Sequence, residues 1–185
     1  MTHLIESLHV DHHNLGKLLG LLEANLHALQ SDDDPDYLLI LDIIEYFDSY
    51  PDVCHHPRED LLFQRAIERD SSVKKEVQPA LEQHAQLKRD TRSLLDSLNA
   101  VLNDAVLDKR LLIGAIRDYI DYQRAHIVLE ESSIYPHIER LLTPEDIHWL
   151  DEHNPAMSDP LFGDLVDNRF RQLYKHILEF SSARN

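Results

Sequence analysis

His12, His84 and His126 each stand where an otherwise apolar helical stripe calls for a hydrophobic residue, and a fourth histidine, His55, heads a stripe through Leu62 and Ala66. One histidine on such a face is ordinarily a core residue with a hydrogen-bond partner. Four of them, one per long helix, are another matter, because antiparallel packing could bring all four to a common depth in a bundle. Burying unpaired imidazoles costs about 1–3 kcal/mol each, and a metal satisfies them all. Two of the four have a carboxylate one turn later, as His55/Glu59 and His126/Glu130, giving two H-x-x-x-E pairs. Imidazoles alone suit zinc or copper. Mixed with carboxylates in a bundle core they fit iron or manganese, and two carboxylates can each bridge a pair of ions, so two metals explain more than one. The order H-E-x-x-H is absent, and E-x-x-H occurs only as Glu6/His9 and Glu145/His148, which do not lie on two facing core helices.

The elements that must position these residues are helices. Ile5, Leu8, Leu15, Leu19, Leu22 and Leu26 form one stripe from Leu4 to about Gln30, with His12 filling its missing step. The turn Ser31 to Pro35 predicts a second helix through Tyr37, Leu38, Leu41, Ile44 and Phe47, with Asp34 as cap and Pro35 in the first turn. Tyr50-Pro51 and Pro57 predict a kink or break, and a helix resuming from about Val53 to Arg69. A third helix carries Val77, Leu81, His84, Leu87, Thr91, Leu94 and Leu98, with Pro79 tolerable near its first turn. The fourth, about Asp108 to Leu142, presents Leu112, Ala115, Tyr119, Tyr122, His126 and Leu129. Thr143-Pro144-Glu145-Asp146 caps a short helix through about His153, and Gly163 to Phe180 forms one more amphipathic helix after a loop. The reading is all-α: a four-helix bundle over residues 1–142 and a C-terminal helical extension over 143–185 packed on it.

Composition narrows the function classes. A chain of 185 residues with a formal charge of −16 repels phosphate backbones and anionic surfaces, so neither nucleic acid nor membrane is expected as a partner. Four glycines leave little from which to build hairpins or a glycine-cradled nucleotide site. Cys54 is the single cysteine, which needs no oxidising compartment, and Met1 to Val10 read as charged helix rather than as an apolar leader; a cytoplasmic location is expected.

The ordered set of motifs resembles the hemerythrin-like proteins with the HHE cation-binding domain. The resemblance rests on Asp11-His12-His13-Asn14-Leu15, on Tyr50 to Phe63 with its His55-His56-Pro57-Arg58-Glu59 core, on Glu82-Gln83-His84, and on His126 to Pro136; Ser158 to Gly163 also resembles one branch of that family. It implies an up-down four-helix bundle around a non-haem di-iron centre, two iron ions with a bridging oxo or hydroxo group, histidines as terminal ligands and two carboxylates bridging. Carried over, the metal ligands are His12, His55, Glu59, His84, His126 and Glu130. Oxygen-carrying members have a further histidine four residues after the one on the third helix, where this chain has Lys88, a protonated amine and no ligand. Counting octahedral positions then leaves more than one exchangeable place. Tyr119 or Tyr122 could complete the coordination, or both are core aromatics.

In the second helix His56/Asp60, followed by Phe63 and Ile67, is an alternative inward pair to His55/Glu59, one residue out of phase. The family motif and the longer reach of Glu favour His55/Glu59, which makes His56 a surface residue or an outer partner. His3, His9, His13, His27, His137, His148, His153 and His176 read as solvated or interfacial, Cys54 as a small buried hydrophobe, and Gly16 and Gly20 as places where a neighbouring helix approaches closely. Leu15, Leu87 and Leu129 supply apolar walls that favour an uncharged diatomic over bulk water. The expected role is binding or sensing of a small ligand (dioxygen, nitric oxide or peroxide), and whether the protein is an enzyme stays open. Two rival readings are an iron donor or enzyme repairing stress-damaged iron–sulfur clusters, for which the chain shows no N-terminal cysteine-containing domain, and a metal-independent interaction module.

Overall fold

In a computed structural model, which describes residues 3–31, 35–105, 108–154 and 158–182, every regular element is helical. The first stripe becomes α1 (His3–Gln30). In α2 (Tyr37–Ser49) the cap is Asp36, whose carboxylate accepts the Leu39 N–H at 2.9 Å, so Pro35 precedes the helix instead of opening it. Asp34, expected as the cap, lies outside the described residues. At Tyr50-Pro51 the chain does not break. It enters a π-helical turn (Pro51–His55) in which the Tyr50 carbonyl accepts from Val53, Cys54 and His55, and regular helix resumes as α3 (His56–Arg69), later than Val53.

A short 3-10 turn (Ser71–Val73) leads into α4 (Lys74–Leu102), where Pro79 lies one turn deeper than expected. Next come α5 (Lys109–Leu129), a second π-helical turn (Glu130–Ile134) and α6 (Tyr135–Leu141). Pro57 and Pro136 each take the second position of the helix that follows a π turn, where a missing amide donor is tolerated. The inner face of α5 runs through Leu112, Ile116, Tyr119, Ile120, Gln123 and His126; Ala115 is exposed and Tyr122 and Leu129 only half-buried, because the stripe follows the wider 3.6-residue face.

Four long helical segments pack as an up-down bundle: α2–α3 lies along α4, α4 along α5, and α5 along α1, which closes on α2. The core has two apolar halves. One holds Leu15 to Leu29 with Ile43, Phe47, Leu87, Leu94 and Ile116; the other holds Leu4, Ile5, Leu8, Leu62, Phe63, Val77 and Ile138. Between these halves, at His12, His55, His56, Arg58, Glu59, His84, His126 and Glu130, lies a buried polar layer.

The C-terminal helices pack on opposite halves. In α7 (Pro144–His153) Thr143 and Asp146 form a reciprocal capping box, and the helix lies against α3 and α1. The last helix, α8 (Arg171–Ser182), follows a 3-10 turn (Asn168–Phe170) and packs on α1 and α2. It begins later than Gly163 because Asp159 folds the preceding segment into a turn, its Oδ1 accepting the Leu161 and Phe162 N–H groups. Gly163 fits that turn because a Cβ there would lie 2.4 Å from the Asp159 carbonyl oxygen. Gly16 is different. No heavy atom lies within 4 Å of where its Cβ would be, so no helix approaches it; with Gly20, Lys17 and Phe180 it lines an open groove. No helix among the described residues is long and apolar enough to cross a membrane.

Candidate metal centre

Each long segment sends imidazole or carboxylate into the polar layer: His12 from α1, His55, His56 and Glu59 from the π turn and α3, His84 from α4, and His126 and Glu130 from α5 and its π turn. Glu59 and Glu130 are wholly buried, at 0 % exposure. Glu59 Oε1 lies 3.4 Å from His12 Nε2 and 3.3 Å from His55 Nε2, while its Oε2 lies 3.3 Å from His84 Nε2. Glu130 Oε1 lies 3.2 Å from His84 Nε2, and its Oε2 lies 3.4 Å from His12 Nε2 and 3.2 Å from His126 Nε2. Both carboxylates therefore span two groups of imidazoles. Donor atoms of His12, His55 and Glu59 form one close set, and those of His56, Glu59, His84 and His126 another.

The outward nitrogens explain why the inward ones are available. His12 Nδ1 donates to Glu131 at 2.7 Å, His55 Nδ1 to Asp11 at 3.1 Å, His84 Nδ1 to Asp60 at 2.8 Å, and His126 Nδ1 to Gln83 at 2.9 Å. His56 Nδ1 lies 3.1 Å from Asp52. Because these partners accept rather than donate, they hold a proton on Nδ1 and turn Nε2 toward the interior, where a cation can displace any second proton and take that nitrogen as a ligand. His12, His55 and His126 Nε2, with Glu59 and Glu130 Oε2, are buried without a hydrogen-bond partner. Two buried carboxylates beside three unpartnered inward imidazole nitrogens form a costly arrangement that a divalent cation relieves, so the donor set fits a metal.

The carboxylates also govern proton affinity. Burial pulls His12 and His84 down, but the carboxylates set beside them, Glu130, Glu131 and Glu59 for His12 and Asp60, Glu130 and Glu59 for His84, outweigh it and hold both well above the usual histidine value. His126 is pushed down to about 3 by burial, and His56 well below its usual value by burial and then by the His84 ring. Tyr135, at the start of α6, donates its hydroxyl to Glu59 Oε1, and its ring stacks on His12.

The six residues carried over from the resemblance thus converge, while the reading of His56 changes and the alternatives for Tyr119 and Tyr122 are decided. His56 is not a surface residue: it is 4 % exposed and stacks on His84 at 4.4 Å between ring centroids. His55 and His56 were alternatives only for a narrow stripe; the buried face of α3 is wide enough for both, while Asp60 is exposed and reaches His84 from outside. Neither Tyr119 nor Tyr122 enters the centre. Tyr119 shares its hydroxyl with Thr91 and Gln123, and both tyrosines line a groove between α4 and α5. Tyr135 is the tyrosine that touches a carboxylate of the centre, and its sequence signal was its place one turn beyond Glu131, directly before Pro136. Lys88 is exposed, and its charge acts on Asp52, the outer partner of His56. His9, read as solvated or interfacial, is half-buried and lies 2.7 Å from Glu131. Cys54 is buried, and burial pushes its thiol up.

Residues 3–138 match the family model described as the Hemerythrin HHE cation binding domain. Comparison with curated proteins and with solved structures returned no match.

Proposed function

Because the chain belongs to the hemerythrin HHE cation-binding domain family, we propose that its polar layer holds two iron ions and that the protein binds or senses a small ligand: dioxygen, nitric oxide or peroxide. One observation carries the reading: two wholly buried carboxylates each reach two sets of imidazoles whose Nδ1 positions are secured from outside. His12 and His55 would hold one ion and His56, His84 and His126 the other, with Glu59 and Glu130 shared between them. Iron bound there supplies reversible ligand binding and one-electron chemistry. The chain's own groups do the rest. The outer acceptors keep each imidazole in one tautomer, Tyr135 fixes one Glu59 oxygen, and Leu15 and Leu87 exclude bulk water on one side. His56 supplies the imidazole that Lys88 does not, leaving fewer exchangeable positions than the sequence alone suggests.

The unpartnered buried atoms weigh against a metal-independent interaction module, and full burial of both carboxylates weighs against an iron donor that must release its metal on demand. A cytoplasmic setting, where ferrous iron stays reduced, suits this reading, as does a division into a bundle over residues 1–142 and an extension over 143–185. The test is anaerobic reconstitution with ferrous iron. Close to two irons per chain, a visible band on exposure to dioxygen or nitric oxide, and loss of metal in Glu59→Ala and His126→Ala are expected. Full metal content in both variants would sink the proposal.

A further inference from the structure

Arg58 lies one residue before Glu59 and three after His55, and it is 6 % exposed. Its guanidinium joins three parts of the fold. Nη1 donates to Asp11 Oδ2 at 3.2 Å, Nη2 donates to Ser7 Oγ, and Nε donates to Asn154 Oδ1 at 3.0 Å. Asp11 Oδ2 is the same atom that receives His55 Nδ1. Asn154 is the C-cap of α7, beyond the four-helix bundle. A continuous hydrogen-bonded chain therefore runs from half-buried Asn154, at the end of a C-terminal helix, through buried Arg58 and Asp11 to an imidazole of the metal centre.

The C-terminal region reaches the same carboxylate by a second route. Asp159 accepts the Tyr46 hydroxyl at 2.9 Å, Tyr46 packs against Tyr50 at 5.9 Å between ring centroids, and the Tyr50 hydroxyl lies 3.4 Å from both Asp11 oxygens. The other outer partners, Asp52, Asp60, Gln83 and Glu131, belong to bundle segments. Among the described residues these contacts thus tie the His55 side of the centre, and no other, to the C-terminal region. A planar guanidinium holds three differently placed acceptors at once, here Asp11, Ser7 and Asn154, which a lysine point charge does not.

Resting on the metal-centre reading above, we infer that Arg58 is a positioning residue through which Asn154 of the C-terminal region sets His55, and with it the hold on the ion shared by His12 and His55. Outer partners of metal-bound histidines typically contribute about 10–100-fold in affinity. The effect falls on one ion of the pair.

The experiment loads the full chain anaerobically with ferrous iron and follows release to a chelator, resolving the two ions as two kinetic phases. Asn154→Ala is expected to speed one phase by about tenfold or more and leave the other at the wild-type rate, with the melting transition of the iron-free protein little changed. Arg58→Lys is expected to do the same. Asn154→Asp, which keeps an acceptor for Arg58 Nε, is expected to restore the slow phase, and Arg110→Ala, in an exposed pair with Asp108, to leave both phases unchanged. If Asn154→Ala speeds both phases equally, or neither, the inference is overturned while the di-iron reading stands. Wild-type protein that takes up no pair of ions overturns that reading, and this inference with it.

Discussion

At the scale of single residues, the centre depends on a division of labour between the two nitrogens of each imidazole. The outer nitrogen is secured by Glu131, Asp11, Asp52, Asp60 or Gln83, and the inner one is turned into the layer that holds Glu59 and Glu130. His56 belongs to this pattern, and His56→Ala is expected to weaken one ion of the pair by about 100-fold or more, beyond the roughly 10–100-fold expected of the outer-partner change Asp60→Asn. Lys88→Ala is expected to retain both ions. Metal titration with a competing chelator separates the three. His12, His84 and His126 were legible in the sequence because each interrupts a helical stripe, His55 because it heads one and matches the family motif, and Glu59 and Glu130 because each follows a histidine by one turn. His56 was not, because adjacent residues on a helix point about 100° apart and only the breadth of the buried face decides whether both are inside.

At the scale of elements, the two H-x-x-x-E pairs share a construction, a π-helical turn with a proline shortly after it. The prolines were visible, and the sequence pointed to a kink; how the chain absorbs them depends on which carbonyls the packed bundle can satisfy, so the π turns were not. The α7 cap gives a pH prediction. Burial favours the neutral form of Asp146, but the Thr143 N–H and hydroxyl and the Arg69 guanidinium outweigh it and pull the carboxyl down to about 2. Its value in the unfolded chain is about 3.9, so its contribution to stability is complete above about pH 4 and is lost as pH falls toward 2. Asp146→Asn is expected to cost about 1 kcal/mol at neutral pH and to flatten the stability profile between about pH 4 and 2, measured by urea unfolding across that range.

At the scale of the whole molecule, a charged layer lies between two apolar halves of one core. Each half buries aliphatic side chains well enough to hold the helices, while the layer between them is costly unless its charges are matched. A ligand that binds only the folded chain stabilises it by about 4 kcal/mol at a thousandfold excess over its dissociation constant. Stripping iron with a chelator is therefore expected to lower the thermal midpoint by several degrees with little loss of helical signal, and adding ferrous iron back to restore it; calorimetry with circular dichroism checks both. What the sequence alone determined was the set of helices, the stripe on each, and the chemical kinds of residue at the depth of the centre, since these follow from local periodicity. Which acceptor meets each outer nitrogen, how the carboxylates straddle two groups of imidazoles, and how Asn154 reaches Arg58 were decided only by the packed bundle. Those contacts join residues far apart in the chain, His12 to Glu131 and Arg58 to Asn154, and the depth and rotation that bring them together belong to no single segment.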